Sequence, residues 1–128
     1  MAPDGRAEAN DELVRDFMAA WERRDTGFIL DCLTEDAVYH SVPLTPIVKG
    51  RHRRVGETVR RRAAGRLEVR HQVASGDVVM NERTDLITRN GGPVTLPICG
   101  VFEMQEGRIR AWREYFDLTP AKAAYEQT

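Results

Sequence analysis

The chain has 128 residues and a formal net charge of −1, with 41% apolar and 30% charged residues. That is enough chain for one domain with a real core, in the composition range of ordinary soluble proteins. The near-neutral balance gives no general affinity for nucleic acid or an anionic membrane surface. No apolar run approaches the roughly 20 residues of a membrane span. Met1 to Asn10 is polar, with no apolar secretion segment. The two cysteines, Cys32 and Cys99, are too few and too far apart for a metal cluster or a disulfide framework. Both read as buried thiols, and the expected location is cytoplasmic.

Residues 1–10 read as a flexible tail, and 11–128 as a single domain. From Asp11 the apolar residues Leu13, Val14, Phe17, Met18 and Trp21 recur at helical spacing, with Asn10 or Asp11 as the cap. A second short helix follows Asp25-Thr26 and carries Phe28, Ile29, Leu30, Cys32 and Leu33. Thr34-Glu35-Asp36 reads as a turn, and Ala37 to Val42 as a short strand ended by Pro43. Pro43 to Gly50 is a loop. A third helix is expected from Arg51 to Ala64, stopped at Gly65. Its arginines, Arg51, Arg53, Arg54 and Arg60 to Arg62, read as a solvated face rather than a phosphate site. Four strand-like segments follow at 66–75, 78–89, 94–105 and 108–117. They are joined through Ser75-Gly76-Asp77, Asn90-Gly91-Gly92 and Gln105-Glu106-Gly107, all good hairpin connections. A short helix after Pro120 closes the chain. Helices followed by a meander of strands give an α+β fold. Three N-terminal helices pack on the concave face of a curved antiparallel or mixed sheet, which forms a cone around a deep pocket.

Strand side chains alternate between faces, so Arg83 and Asp85 share a face with Ile87, and Glu114 shares one with Trp112 and Phe116. A carboxylate on an apolar face is costly unless it is paired or used. An Arg fork can clamp two carboxylates at once. If Glu114 reaches Arg83, mutual repulsion and burial leave one proton shared between Glu114 and Asp85, which makes an acid and a base in one site. Tyr39 and Ser41 lie on one face of the first strand and can hold a water. Ile87, Leu96, Ile98 and Phe116 would line a pocket for a largely apolar small molecule. Trp112 fits either core packing or a substrate platform. An arginine–carboxylate cluster inside a sheet can also be purely structural. His40 faces away from Tyr39 and Ser41, and His52 and His71 have no partner at ligand spacing, so no metal is expected.

The segment from Asn81 to Leu118 resembles the limonene-1,2-epoxide hydrolase family, which shares the cone-shaped fold of nuclear transport factor 2 and ketosteroid isomerase. The resemblance rests on Glu82-Arg83-Thr84-Asp85, Gly100-Val101-Phe102, Glu106-Gly107-Arg108-Ile109 and Trp112-Arg113-Glu114-Tyr115-Phe116-Asp117, with a weaker match over Val38 to Leu44. It implies that Arg83 bridges, that Asp85 protonates the epoxide oxygen, and that Glu114 takes a proton from a water held by Tyr39 and Ser41. It also implies a small hydrophobic epoxide as substrate, no cofactor, no covalent intermediate and a homodimer. Glu114 stands where familiar members have Asp, and Ser41 where they have Asn. These departures leave two other readings: an epoxide-opening cyclase or isomerase using the same acid and base, and a non-catalytic ligand binder.

Overall fold

Helix α1 (Gly5–Arg23) buries Val14, Phe17, Met18 and Ala20, the stripe that helical spacing selects. The computed structural model describes residues 5–43, 48–50, 65–89, 92–117 and 119. The helix begins at Gly5 rather than at Asp11, so residues 5–10 are its first turns and not tail. The two expected caps are committed elsewhere. Asn10, 3% exposed, donates through Nδ2 to the Gly76 carbonyl, and the Asp11 carboxylate accepts from Gln72 and Arg15. The third helix expected at 51–64, with its arginine run, and the helix expected after Pro120 lie outside the described residues.

Helix α1 ends with Arg24 in the left-handed region at φ 58°. Asp25 N–H donates to the Ala20 carbonyl at 2.9 Å and Arg24 N–H to that of Trp21 at 3.2 Å, the paired bonds of a Schellman stop. Glycine is the residue suited to that position, because any Cβ is strained there. Arg24→Gly is therefore expected to stabilise the protein by about 1 kcal/mol, read as a higher urea midpoint with an unchanged slope. Asp25 then caps helix α2 (Thr26–Asp31), accepting from Phe28 N–H through Oδ1 at 3.1 Å.

Strand β1 (Leu33–Ser41) starts earlier than expected: Thr34 to Asp36 belong to it. Its pairing shifts register between Leu33 and Val38, so these polar residues ride an irregularity in the strand instead of forming a turn. After β2 (Val48–Lys49) come β3 (Gly65–Ser75), β4 (Val78–Arg89), β5 (Gly92–Gln105) and β6 (Arg108–Tyr115). They form one mixed sheet in the order β2-β1-β6-β5-β4-β3, antiparallel except for the β1–β6 pair. The β5–β6 connection has both residues at positive φ, Glu106 at 49° and Gly107 at 78°, as a two-residue hairpin of right-handed twist requires.

The helices pack on one face of this sheet. Phe17 meets Trp21, Phe102 and Trp112 edge-on with ring centroids 5.6–6.2 Å apart, at the centre of the main core. Val73, Val78, Met80 and Tyr115 are exposed, and alternation puts them on the opposite face. Cys32 is buried, but Cys99 is exposed, against the expectation for both. The cause is parity: Ile98 and Gly100 point inward on β5, so Cys99 points out. Burial, together with the carboxylates of Asp16 and Asp31, pushes the Cys32 thiol up to about 12, which leaves it unreactive.

Candidate active site

Strand β4 keeps strict alternation, so Val79, Asn81, Arg83, Asp85 and Ile87 all turn toward the helix side and are buried. Pairing then fixes what lies beside them. Across β5, Asp85 is opposite Leu96, Arg83 opposite Ile98 and Asn81 opposite Gly100. Gly100 is in turn opposite Glu114 on β6, which is level with Ser41 on β1, while Tyr39 is level with Trp112. Three charged residues thus meet in one interior region, with Arg83 1%, Asp85 0% and Glu114 4% exposed.

Arg83 donates from Nε to Asp85 Oδ1 at 2.8 Å and from Nη2 to Asp85 Oδ2 at 3.4 Å. The same Nη2 donates to Glu114 Oε1 at 2.6 Å. The other oxygen of Glu114 accepts from the Tyr39 hydroxyl at 3.1 Å, and Ser41 Oγ donates to that hydroxyl at 2.7 Å. A continuous polar chain therefore runs from Ser41 through Tyr39, Glu114 and Arg83 to Asp85. Burial by itself would weaken the Arg83 cation. The Glu114 and Asp85 carboxylates outweigh that, through charge and hydrogen bonds, and push its pKa above the usual arginine value. The guanidinium is a fixed positive charge at any accessible pH.

The residues expected to line a pocket divide into two groups. Leu96 and Ile98 form a small buried cluster of their own with Phe116 packed against it, and Ile87 is 9% exposed on the same face. Trp112 belongs instead to the main core: its ring stacks on Tyr39 with centroids 4.5 Å apart and meets Phe17 edge-on. That stacking backs the Tyr39 ring. Asn81 is the residue whose part at this site sequence reasoning missed. It is 2% exposed, and its Oδ1 accepts from Arg83 Nη1 at 3.5 Å. The signal was available, since Asn81 has the same parity as Arg83 and Asp85. Among the described residues no group of three His, Cys, Asp or Glu side chains is placed to hold a metal ion.

A mixed sheet covered on one face by helices is the ketosteroid isomerase-like fold. One solved example, a protein of that fold from Catenulispora acidiphila, superimposes with a TM-score of 0.78 at 18% identity, over 88% of this chain and 91% of its own. A narrower assignment comes from sequence. Residues 8–125 match the family model described as the limonene-1,2-epoxide hydrolase catalytic domain, and the chain belongs to that family. Epoxide hydrolase EphG of Mycobacterium tuberculosis is 38% identical over 109 residues, spanning 82% of this chain and 71% of that protein. The structure of an M. tuberculosis LEH-like epoxide hydrolase superimposes with a TM-score of 0.82 at 29% identity, covering 94% of this chain and 92% of the other.

Proposed function

We propose that the protein adds water to a small, largely apolar epoxide in a single step by general acid–base catalysis. One observation carries the reading: Arg83 hydrogen-bonds two buried carboxylates at once, and one of them also accepts from Tyr39. With both carboxylates ionised the cluster holds one uncompensated negative charge. A single shared proton neutralises it, as expected of a buried site.

In the proposed cycle that proton starts on Asp85 and Glu114 is ionised. Water attacks an epoxide carbon and gives a proton to Glu114. The C–O bond breaks as Asp85 protonates the departing oxygen, and a vicinal diol results. Glu114 then holds the proton and Asp85 is ionised, and return of the proton to Asp85 resets the enzyme. Arg83 bridges the two carboxylates and steadies the negative charge as it moves between them. Tyr39, buttressed by Ser41, orients Glu114 and the attacking water. Ile87, Leu96, Ile98 and Phe116 supply an apolar wall beside Asp85, which favours hydrocarbon substituents on the epoxide. The scheme uses no cofactor.

The extra methylene of Glu114 is consistent with this role, because the longer side chain makes both the 2.6 Å contact to Arg83 and the 3.1 Å contact to Tyr39. Two free thiols fit a reducing, cytoplasmic setting. A second copy of the chain covering the sheet face that carries Val73, Val78, Met80 and Tyr115 would explain their exposure. A monomer mass by light scattering overturns that pairing.

The activity is tested with cyclohexene oxide, styrene oxide, limonene oxide and a fatty epoxide in ¹⁸O-water. The expected product is a diol carrying one labelled oxygen. An unlabelled cyclic ether or a carbonyl product would instead identify the cyclase or isomerase use of the same acid and base.

A further inference from the structure

Arg83 and Glu114 are not neighbours in register. Arg83 on β4 is opposite Ile98 on β5, whereas Glu114 on β6 is opposite Gly100. To reach Glu114 the guanidinium must cross β5 diagonally, and the place it crosses is Gly100. A Cβ at this glycine would lie 2.9 Å from Arg83 Nη1, 2.9 Å from Asn81 Oδ1 and 3.1 Å from Phe102 Cε1. The positive-φ glycines of the described residues are Gly50, Gly76, Gly92 and Gly107, so Gly100 does not serve a backbone conformation. It serves space. Glycine weakens a strand interior, and here it marks a close approach of another group to the backbone.

Asn81 closes the other side of that crossing. Its Oδ1 accepts from Arg83 Nη1, and its Nδ2 donates to Gln72 Oε1 at 3.2 Å. Gln72 has no freedom to turn its amide around, because its Nε2 already donates to the Asp11 carbonyl and to Asp11 Oδ1, at 3.0 and 2.9 Å. Asp11 is held in turn by Arg15 Nε at 3.0 Å. The orientation of the Asn81 amide, oxygen toward Arg83, is thus fixed from helix α1. Every nitrogen of the guanidinium has a committed acceptor: Nε on Asp85, Nη2 shared by Asp85 and Glu114, and Nη1 on Asn81.

We infer that Gly100 and Asn81 are positioning residues for the Arg83 guanidinium. Gly100 supplies the gap through which it reaches Glu114, and Asn81 sets the angle at which it lies there. The catalytic consequence rests on the hydrolase reading above; the placement itself does not.

Two variants of the full chain test it, Gly100→Ala and Asn81→Ala, with two readouts: steady-state kinetics on the best epoxide, and the ¹⁵N–¹H resonance of the Arg83 Nε–H group. In Gly100→Ala the new methyl displaces the guanidinium, and kcat is expected to fall on the order of 10- to 10²-fold with KM little changed, as for a small misplacement of a catalytic group. The Arg83 resonance shifts in both variants, and Asn81→Ala, which adds no atom to the interior, lowers kcat less. A change confined to KM, or a wild-type kcat with an unmoved resonance, overturns the inference. If Gly100→Ala does not fold, Asn81→Ala decides by the same criteria. If the wild type turns over no epoxide, the resonance decides alone. A shift then supports the placement while the hydrolase reading falls, and no shift overturns the placement as well.

Discussion

Asp85→Asn is expected to lower kcat for diol formation by about 10²–10⁴-fold, the usual contribution of a general acid, and to leave a folded protein. The side chain is fully buried and receives the Nε and Nη2 hydrogens of Arg83. Asparagine has the same shape, and its oxygen can accept the stronger of the two bonds, from Nε at 2.8 Å. The cation also keeps Glu114 at 2.6 Å, so no buried charge is left alone. The stability loss is then that of one weakened buried hydrogen bond, about 1–3 kcal/mol. What the variant lacks is a proton to give to the departing epoxide oxygen. Steady-state kinetics, together with urea unfolding of the same samples, checks both halves. A folded variant with wild-type kcat removes Asp85 from the role of acid.

The inner face of β4 was legible because alternation is a strong rule and the residues on it are chemically distinctive. Arg83, Asp85 and Ile87 fall on one face by counting alone, as do Tyr39 and Ser41 on β1. That Arg83 meets Glu114 was not legible in the same way, because it depends on the register between three strands and on a diagonal path. The family resemblance supplied the pairing that counting did not, and for the same reason Gly100 went unnoticed as the crossing point. Cys99 shows local parity prevailing over the general tendency of thiols to be buried: with Leu96 and Ile98 inward, Cys99 faces out. At the N-terminus, Asn10 and Asp11 looked like caps because such residues usually bond to their own helix end. Here their partners are Gly76 and Gln72, more than 60 residues away in the chain, which nothing local reveals. Thr34 to Asp36 misled in the opposite sense, as a polar cluster that long-range pairing with β6 draws into a strand.

Arg83→Met should damage the fold as well as the chemistry, and the two effects can be separated by pH. Methionine fills the apolar part of the arginine site but leaves Asp85 and Glu114, 0% and 4% exposed, without the cation they share. Removing one partner of a buried ion pair typically costs about 3–5 kcal/mol, because the remaining charge stays desolvated. In the variant both carboxyl groups have lost the cation, and burial favours their neutral forms over the ionised ones. The variant binds more protons when folded, so its stability is greatest at acid pH and is lost as pH rises past the ordinary carboxylate range near 4. The wild type loses less, since the neighbouring carboxylates hold Arg83 charged throughout and the cation compensates one of them, which leaves one shared proton on the pair rather than two. Urea midpoints measured from pH 4 to pH 8 should therefore show a gap between the two proteins that is small at the acid end and widens with pH. A gap that is constant, or widest in acid, means that the carboxylates do not depend on Arg83 for their burial. The comparison also governs how activity losses at this site are read. An inactive Arg83 variant above neutral pH has lost part of its fold, so it says little about the chemical step. Asp85→Asn keeps the cation paired and so isolates the proton, which is why the role of the acid is better decided at Asp85 than at the arginine that holds it.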